Sequence, residues 1–315
     1  MPIKSSTQAP ASGGVRHLEI GPDRDGQRLD NCLHAVLKGV PRSLVYRLLR
    51  SGQVRVNGGR AKPSRRLAAG DVVRIPPVRQ SPPAGTDTPA QDQLHLIERA
   101  IIHEDRHFLV VDKPSGLASH GGSGISHGVI ELLRHARPGD TLELAHRLDR
   151  DTSGVLVMSR SRKALTALQA LIREHQVTKQ YLALLEGRPA TAKFDVNAPL
   201  GKFAVGGERL MRVEQGGKPA LSFFRRIEDY PDSSLHEVVL ATGRTHQIRV
   251  HAAHVGHPVA GDDKYASRES LARFRKAGLK RLFLHAARFE FDWNEHGYSF
   301  TAPLPVDLKQ VLDAL

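Results

Sequence analysis

Five prolines fall between Pro76 and Gln93, in PPVRQSPPAGTDTPAQDQ, and they divide the chain. Each proline fixes its own φ and removes a backbone donor, so no helix or central strand runs through them. The stretch reads as a semi-extended linker between separately folding bodies. The division predicts a disordered tail over 1–23, a small domain over 24–77, the linker over 78–95 and a large domain over 96–315. The 315 residues are enough for a sizeable core.

Charge separates the two bodies further. The chain carries 46 Lys+Arg against 33 Asp+Glu, a net +13. Between Arg24 and Arg79 there are 13 basic and 3 acidic residues, so +10 of that charge sits in 56 residues. A generically basic surface is the bland alternative. Concentration in one small region points instead to a polyanion, and nucleic acid is the commonest one.

Leu29, Leu33, Val36 and Leu37 mark one helical stripe, and VPRSLVYRLLRSG marks a second helix between Pro41 and Gly52. QVRVNGGRAK reads as a hairpin turning at Asn57-Gly58, and AAGDVVRI as a further strand. Two helices and small strands, with DGQRLDNCL and GQVRVNG, resemble the S-four-type (αL) RNA-binding domain over about residues 26–77. The resemblance implies RNA contacts from Arg42, Arg47, Arg50, Arg55, Lys62, Arg65 and Arg66.

Cys32 is the only cysteine, which leaves no disulfide framework and no thiolate metal site, and fits a reducing compartment. The first fifteen residues lack the ~7–15-residue apolar stretch of a signal peptide. No apolar run approaches the ~18 residues of a membrane span. The expectation is a cytoplasmic protein with no membrane association.

In the large domain short strands predominate. FLVVDKPSG, GVLVMSR, KQYLALLEG, ALSFFRRIE, LHEVVLATG and ARFEFDW read as strands; GVIELLRHA and SRKALTALQALIREH read as helices. Few helices intervene, which argues for an α+β fold on a largely antiparallel mixed sheet flanked by helices and loops.

HRLDRDTSG, residues 146–154, lies between two strand-like segments. It sets Asp149 and Asp151 between Arg147 and Arg150. Such a connection presents side chains from a rigid scaffold. A turn in which Asp151 and Thr152 bond local backbone is the plain reading of the second aspartate. Spacing alone does not say which carboxylate is reactive.

HRLDRDTSGVLV resembles the signature of the RluA-type pseudouridine synthases. TKQYLAL at 178–184, GRTHQIRVH at 243–251 and LFLHA at 282–286 follow in the family's order, with DKPSG at 112–116 and GHPVAGDDKY at 256–265 in agreement. HGGSGISHGVIE and RLMRVEQGGKPA are similar to the subgroup that acts on large-subunit (23S) ribosomal RNA. The resemblance implies the pseudouridine synthase fold and an isomerase that breaks the uracil–ribose C–N bond, turns the base and rejoins it through carbon. It implies no cofactor and no metal. It makes Asp149 the catalytic aspartate, as nucleophile or as base toward the ribose, paired with Arg249. It assigns Tyr181 to stacking on the flipped base, Arg147 to the space that base vacates, and Leu284 to the pocket wall. Lys179, Arg244 and His246 are expected to contact RNA. The partner would be 23S rRNA or a large-subunit assembly intermediate, met by a monomer.

Other readings compete. Tyr181 and Leu284 could be ordinary core residues, and Arg249 a surface helix charge. His246, His251, His254 and His257 suggest zinc, but no HExxH pattern is present and basic residues surround them. HGGSG is followed by no Gly-Lys-Ser/Thr, so it is not a nucleotide loop. VDLKQVLDAL reads as a packing helix. A glycosidase would need opposed carboxylates that Asp149 and Asp151 do not supply. A noncatalytic ribosome-assembly RNA binder, or an enzyme of another structured RNA such as tRNA, completes the alternatives.

Overall fold

The computed structural model describes residues 14–37, 40, 42–78, 89–122, 126–205 and 208–315. The chain divides into two units, 1–88 and 89–315. The first comprises β1 (Arg16–Glu19), α1 (Leu29–Val36), α2 (Arg42–Arg50), β2 (Arg55–Val56), β3 (Gly59–Arg60) and β4 (Val72–Ile75). Its sheet runs in the order β1-β4-β2-β3. Asn57 and Gly58, both at positive φ, make the β2–β3 turn, as the Asn-Gly pair leads one to expect. Leu29, Cys32 and Leu33 of α1 bury against Leu48 and Leu49 of α2 and Val56 and Val73 of the sheet.

The expected disordered tail does not extend to residue 23. Residues 1–13 lie outside the described residues, but Arg16–Glu19 pair antiparallel with Val72–Ile75, and Ile20 is buried behind them. Four residues with one apolar side chain carry too little pattern to be read as a strand.

The second unit opens with α3 (Gln91–Arg99), inside the segment expected to be linker. Ile97 buries against Val129 and Leu133 and so recruits the last linker residues into the domain. Of the proline stretch, 79–88 lie outside the described residues. There follow β5 (Ile101–Glu104), β6 (Phe108–Lys113), α4 (Val129–Ala136), β7 (Glu143–Leu144), β8 (Ser153–Ser159), α5 (Arg162–Arg173), β9 (Thr178–Glu186), β10 (Lys193–Asn197), β11 (Leu200–Val205) and β12 (Glu208–Val213). Then come β13 (Leu221–Tyr230), β14 (Ser233–Leu240), α6 (Gln247–His254), α7 (Arg268–Lys276), β15 (Leu284–Trp293), β16 (His296–Thr301) and α8 (Val306–Asp313).

Ten strands form one mixed sheet, ordered β10-β13-β14-β9-β15-β8-β6-β5, with β16 on β15 and β7 on β8. The β8–β15 pair is parallel and the other pairs are antiparallel. All of β8 is buried, which explains its unbroken apolar run. Val155 and Val157 pack toward α5, Leu156 and Met158 toward α4. Gly154 has φ +110, and a Cβ there would lie 2.2 Å from the Ala286 carbonyl oxygen. Only glycine lets β8 start this close to β15, and that contact brings HRLDRDTSG to the sheet centre. The β11–β12 hairpin is a separate two-stranded sheet that packs Met211 with Leu200, Ala220 and Val250 of α6.

Candidate active site

The connection from β7 to β8 is pinned from the segment after β6. Lys113 is fully buried at the end of β6, and its ammonium donates to the carbonyls of Pro114 (2.9 Å), Leu117 (2.7 Å) and Arg150 (2.9 Å). Burial pushes its pKa down to about 7, against the pull of Asp151 and Asp149. The Ser119 hydroxyl donates to Leu148 O (2.8 Å) and accepts from Leu148 N (2.9 Å), while the Ser115 hydroxyl donates to Asp151 O (2.8 Å). Asp149 therefore sits on a fixed backbone, with its side chain 19% accessible.

Asp149 forms the wall between two cavities. One, of about 290 Å³, has an apolar lining of Leu148, Tyr181, Leu240, Ile248 and Leu284 and a basic margin of Arg147, Lys179 and Arg244. The other, of about 360 Å³, is more polar and includes Ser119, His120, Arg150 and Lys264. His120, Gly121 and Gly122 of the HGGSG loop reach this second cavity; 123–125 lie outside the described residues. Arg147, His246 and Arg249 border both.

Tyr181 stands in the middle of the sheet, opposite Val238 of β14 and Ala286 of β15. Burial and then the Asp149 charge push its phenol up, so the hydroxyl stays protonated. A flat ring on a rigid strand, beside a carboxylate, is a platform for a planar base. Lys179 lies two residues before it on the same face and is 7% exposed. The resemblance assigned it to RNA contact; the structure places it in the cavity wall, with its pKa lowered by burial and then by Arg244. Next to the site, the half-buried His146 stacks on Phe289 at 4.6 Å and accepts the Val157 N–H, and desolvation and then Lys179 lower its pKa to about 3.

Arg249 comes from α6, whose start is set by Gln247. That side chain accepts from the Thr242 hydroxyl (2.8 Å) and Arg244 N (3.0 Å) and donates to Leu221 O (3.0 Å). Arg249 is not directly paired with Asp149 as expected. Its guanidinium makes a bidentate pair with buried Asp262, Nε–Oδ2 2.7 Å and Nη2–Oδ1 2.6 Å, with Asp263 at 3.3 Å. The planar fork matches one carboxylate best, and Asp262 is fully buried beside it. Burial opposes the charge on Arg249, but Asp262 outweighs it, and Asp149 adds to the effect. Asp149 thus faces an arginine whose position is fixed by a second acid. The charged-type neighbour at shortest range is His246, with Nε2 3.9 Å from Asp149 Oδ2. Asp151 pairs with adjacent Arg150 at 3.1 Å, and both border the second cavity.

In the basic unit Arg47, Arg50 and Lys62 are exposed. Arg55 donates to Gly52 O and Gly58 O, Arg66 to Gly26 O, and Arg65 pairs with Asp71 at 3.5 Å, so these three also brace the fold. The Arg42 side chain lies outside the described residues. Among the described residues no cluster of three His, Cys, Asp or Glu is placed to hold a metal, and His251 is buried between Ser222 and the Ala198 carbonyl. No helix there is long and apolar enough to cross a membrane.

Sequence reasoning missed Lys113, Asp262 and Tyr265. All three lie in quoted motifs, DKPSG and GDDKY, but no periodicity or spacing set them apart.

This constellation, an enclosed aspartate between an apolar cavity and basic side chains, has counterparts in known proteins. A sequence model described as RNA pseudouridylate synthase matches residues 107–254. A protein of Haemophilus ducreyi named Ribosomal large subunit pseudouridine synthase C is 46% identical over 317 residues, 98% of this chain and 98% of the relative. The Escherichia coli protein of the same name is 47% identical over 308 residues, 96% and 97% of the two chains. The chain belongs to the RNA pseudouridylate synthase family. As a pseudouridine synthase it is an isomerase. An S4 domain model matches residues 27–73, the basic unit. The solved structure titled Human RNA Pseudouridylate Synthase Domain Containing 4 aligns with TM-score 0.59 at 25% identity, over 71% of this chain and 96% of that one. The mixed sheet described above is therefore the pseudouridine synthase fold, with an N-terminal S4 domain.

Proposed function

We propose that the protein converts specific uridines of large-subunit (23S) ribosomal RNA to pseudouridine, with Asp149 as the reacting carboxylate. The observation that carries the chemical part is the Asp149 side chain between a base-sized cavity and the fixed Arg249 charge. The full-length likeness to relatives named for the ribosomal large subunit carries the choice of RNA.

The target uridine leaves its stack, at a cost of a few kcal/mol. Its uracil enters the 290 Å³ cavity and stacks on Tyr181 against Leu284 and Ile248. Such stacking is worth roughly 1–3 kcal/mol per base. Arg147, exposed at the margin, fills the gap left in the RNA with a planar guanidinium. Asp149 then acts on the ribose as nucleophile or as base. The C1′–N1 bond breaks, the base turns, C5 bonds to C1′ and loses its proton while N1 gains one, so the product is an isomer and no cofactor is consumed. Arg249 brings a fixed positive charge, and His246 a ring nitrogen, to the side of the cavity that holds the carboxylate. Lys179 and Arg244 offset the RNA charge at the cavity, and Arg42, Arg47, Arg50, Arg55, Lys62, Arg65 and Arg66 supply phosphate contacts from the S4 domain. We place this activity in the cytoplasm, carried by a monomer on free rRNA or an assembly intermediate.

Mapping pseudouridines in RNA from a strain lacking the protein tests the target. Loss of discrete sites in large-subunit rRNA, restored by the wild-type gene, is expected. Loss confined to tRNA would overturn the assignment.

A further inference from the structure

A line of polar groups crosses from the β11–β12 hairpin to the aspartate. The Tyr265 hydroxyl oxygen accepts the Met211 backbone N–H at 3.1 Å and lies 2.8 Å from His246 Nδ1. His246 Nε2 lies 3.9 Å from Asp149 Oδ2. A phenol has one proton to give. With the Met211 N–H directed at its oxygen, that proton is free to point to Nδ1. A neutral imidazole that accepts at Nδ1 carries its own proton on Nε2. The opposite tautomer would set the Nε2 lone pair against the Asp149 carboxylate.

We propose that Tyr265 is a positioning residue that holds His246 as its Nε2–H tautomer, so that the ring presents an N–H to Asp149. This rests on the reading of Asp149 as the reacting group.

Each part of the line is held in place. His246 sits at φ +54 immediately before α6, in the left-handed region that few non-glycine residues occupy and that histidine enters more readily than most. The Tyr265 ring lies under the Arg249 guanidinium, 5.2 Å from Cζ to ring centre. Asp262, besides binding Arg249, accepts the backbone N–H groups of Lys264 (2.9 Å) and Tyr265 (3.2 Å). Asp262 therefore orients both the arginine and the turn that carries the tyrosine. The charged groups around His246 are Asp149 from the β7–β8 connection, Arg249 from α6, and Asp262 and Lys264 from the following turn. Burial keeps the ring below the usual imidazole range, against the Asp149 charge, which favours the neutral ring the argument needs. The 3.9 Å separation belongs to the unliganded protein, in which catalytic contacts are commonly longer than in the substrate complex.

The test uses the full chain labelled with ¹⁵N-histidine, the His246 signals being assigned by their loss in His246→Gln. A protonated-type shift at Nε2 and an unprotonated-type shift at Nδ1 are expected. Tyr265→Phe keeps the ring under Arg249 and removes the hydroxyl. It should give mixed tautomers and lower kcat about 10-fold on in-vitro-transcribed large-subunit rRNA, about the effect of one lost hydrogen bond, with KM within about 2-fold. His246→Gln offers an amide N–H with no tautomer to fix, so adding Tyr265→Phe to it should cost little, whereas a purely structural role would cost the same in both backgrounds. His246 protonated at Nδ1 in the wild type, an unchanged tautomer in Tyr265→Phe, or equal costs in the two backgrounds would overturn the proposal. Full activity of Asp149→Ala would overturn the reading of the aspartate instead, and the histidine shifts report independently of it.

Discussion

Lys113 allows the energetics of the catalytic connection to be read from stability alone. Replacing it with Met keeps most of its length and removes its ammonium. Two effects then oppose each other. Three carbonyls, of Pro114, Leu117 and Arg150, lose their donor, at about 1–3 kcal/mol for each polar group left unbonded. Against this, a buried charge is gone. Its pKa falls from 10.5 to about 7 on folding, a displacement worth about 5 kcal/mol. The two are comparable at neutral pH, so the variant should lie within about 2 kcal/mol of wild type there.

The pH dependence separates them. The folded value lies below the unfolded one, so between about pH 7 and 10.5 the unfolded chain binds the proton that the folded chain has released. Wild-type stability therefore rises with pH in that window, by at most about 1.4 kcal/mol per unit. Met has no such contribution. The variant should fall behind by about 3 kcal/mol over about two pH units above neutrality. Urea unfolding of both proteins, each measured across the window, gives the difference with other titrations cancelled. A difference that stays flat with pH would show that Lys113 is not buried as a pressed-down ammonium, and would refute the reasoning.

Two further outcomes follow from the charge arrangement. Asp262→Asn removes the bidentate partner of an arginine that is 2% accessible; unfolding should cost about 3 kcal/mol or more less than in wild type, and a loss below about 1 kcal/mol would mean that Asp149 or Asp263 takes over. Replacing Arg47 and Arg50 together by Ala should make the salt dependence of RNA binding shallower, by about 0.9 in the log–log slope for each phosphate no longer neutralised; an unchanged slope would show that α2 does not touch the backbone.

The sequence made the scaffold legible where pattern and physics coincide. The apolar run of β8, the helical stripe of α5 and the Asn-Gly turn each have a local cause, and each lies where that cause puts it. The motifs also placed Asp149, Arg147, Tyr181, Leu284 and Arg249 around one cavity, although they lie on four separate elements. What escaped was the pairing among charges. Arg249 prefers Asp262 over Asp149 because burial of the second acid and the geometry of the fork decide it, and neither is written in spacing. Lys113 looks like a solvated lysine at a strand end; three carbonyls that converge only in the fold make it a buried anchor. Tyr265 escaped for the same reason: its partners, Met211 and His246, come from a hairpin and a helix start far from it in the chain. Strand β1 and helix α3 were hidden by brevity and by neighbouring prolines.

Asp149→Asn, which preserves shape and removes the negative charge, tests the central claim most directly. Under single-turnover conditions with large-subunit rRNA it should yield no pseudouridine while binding the RNA with a Kd within about 3-fold of wild type. Product formed at the wild-type rate would contradict the account.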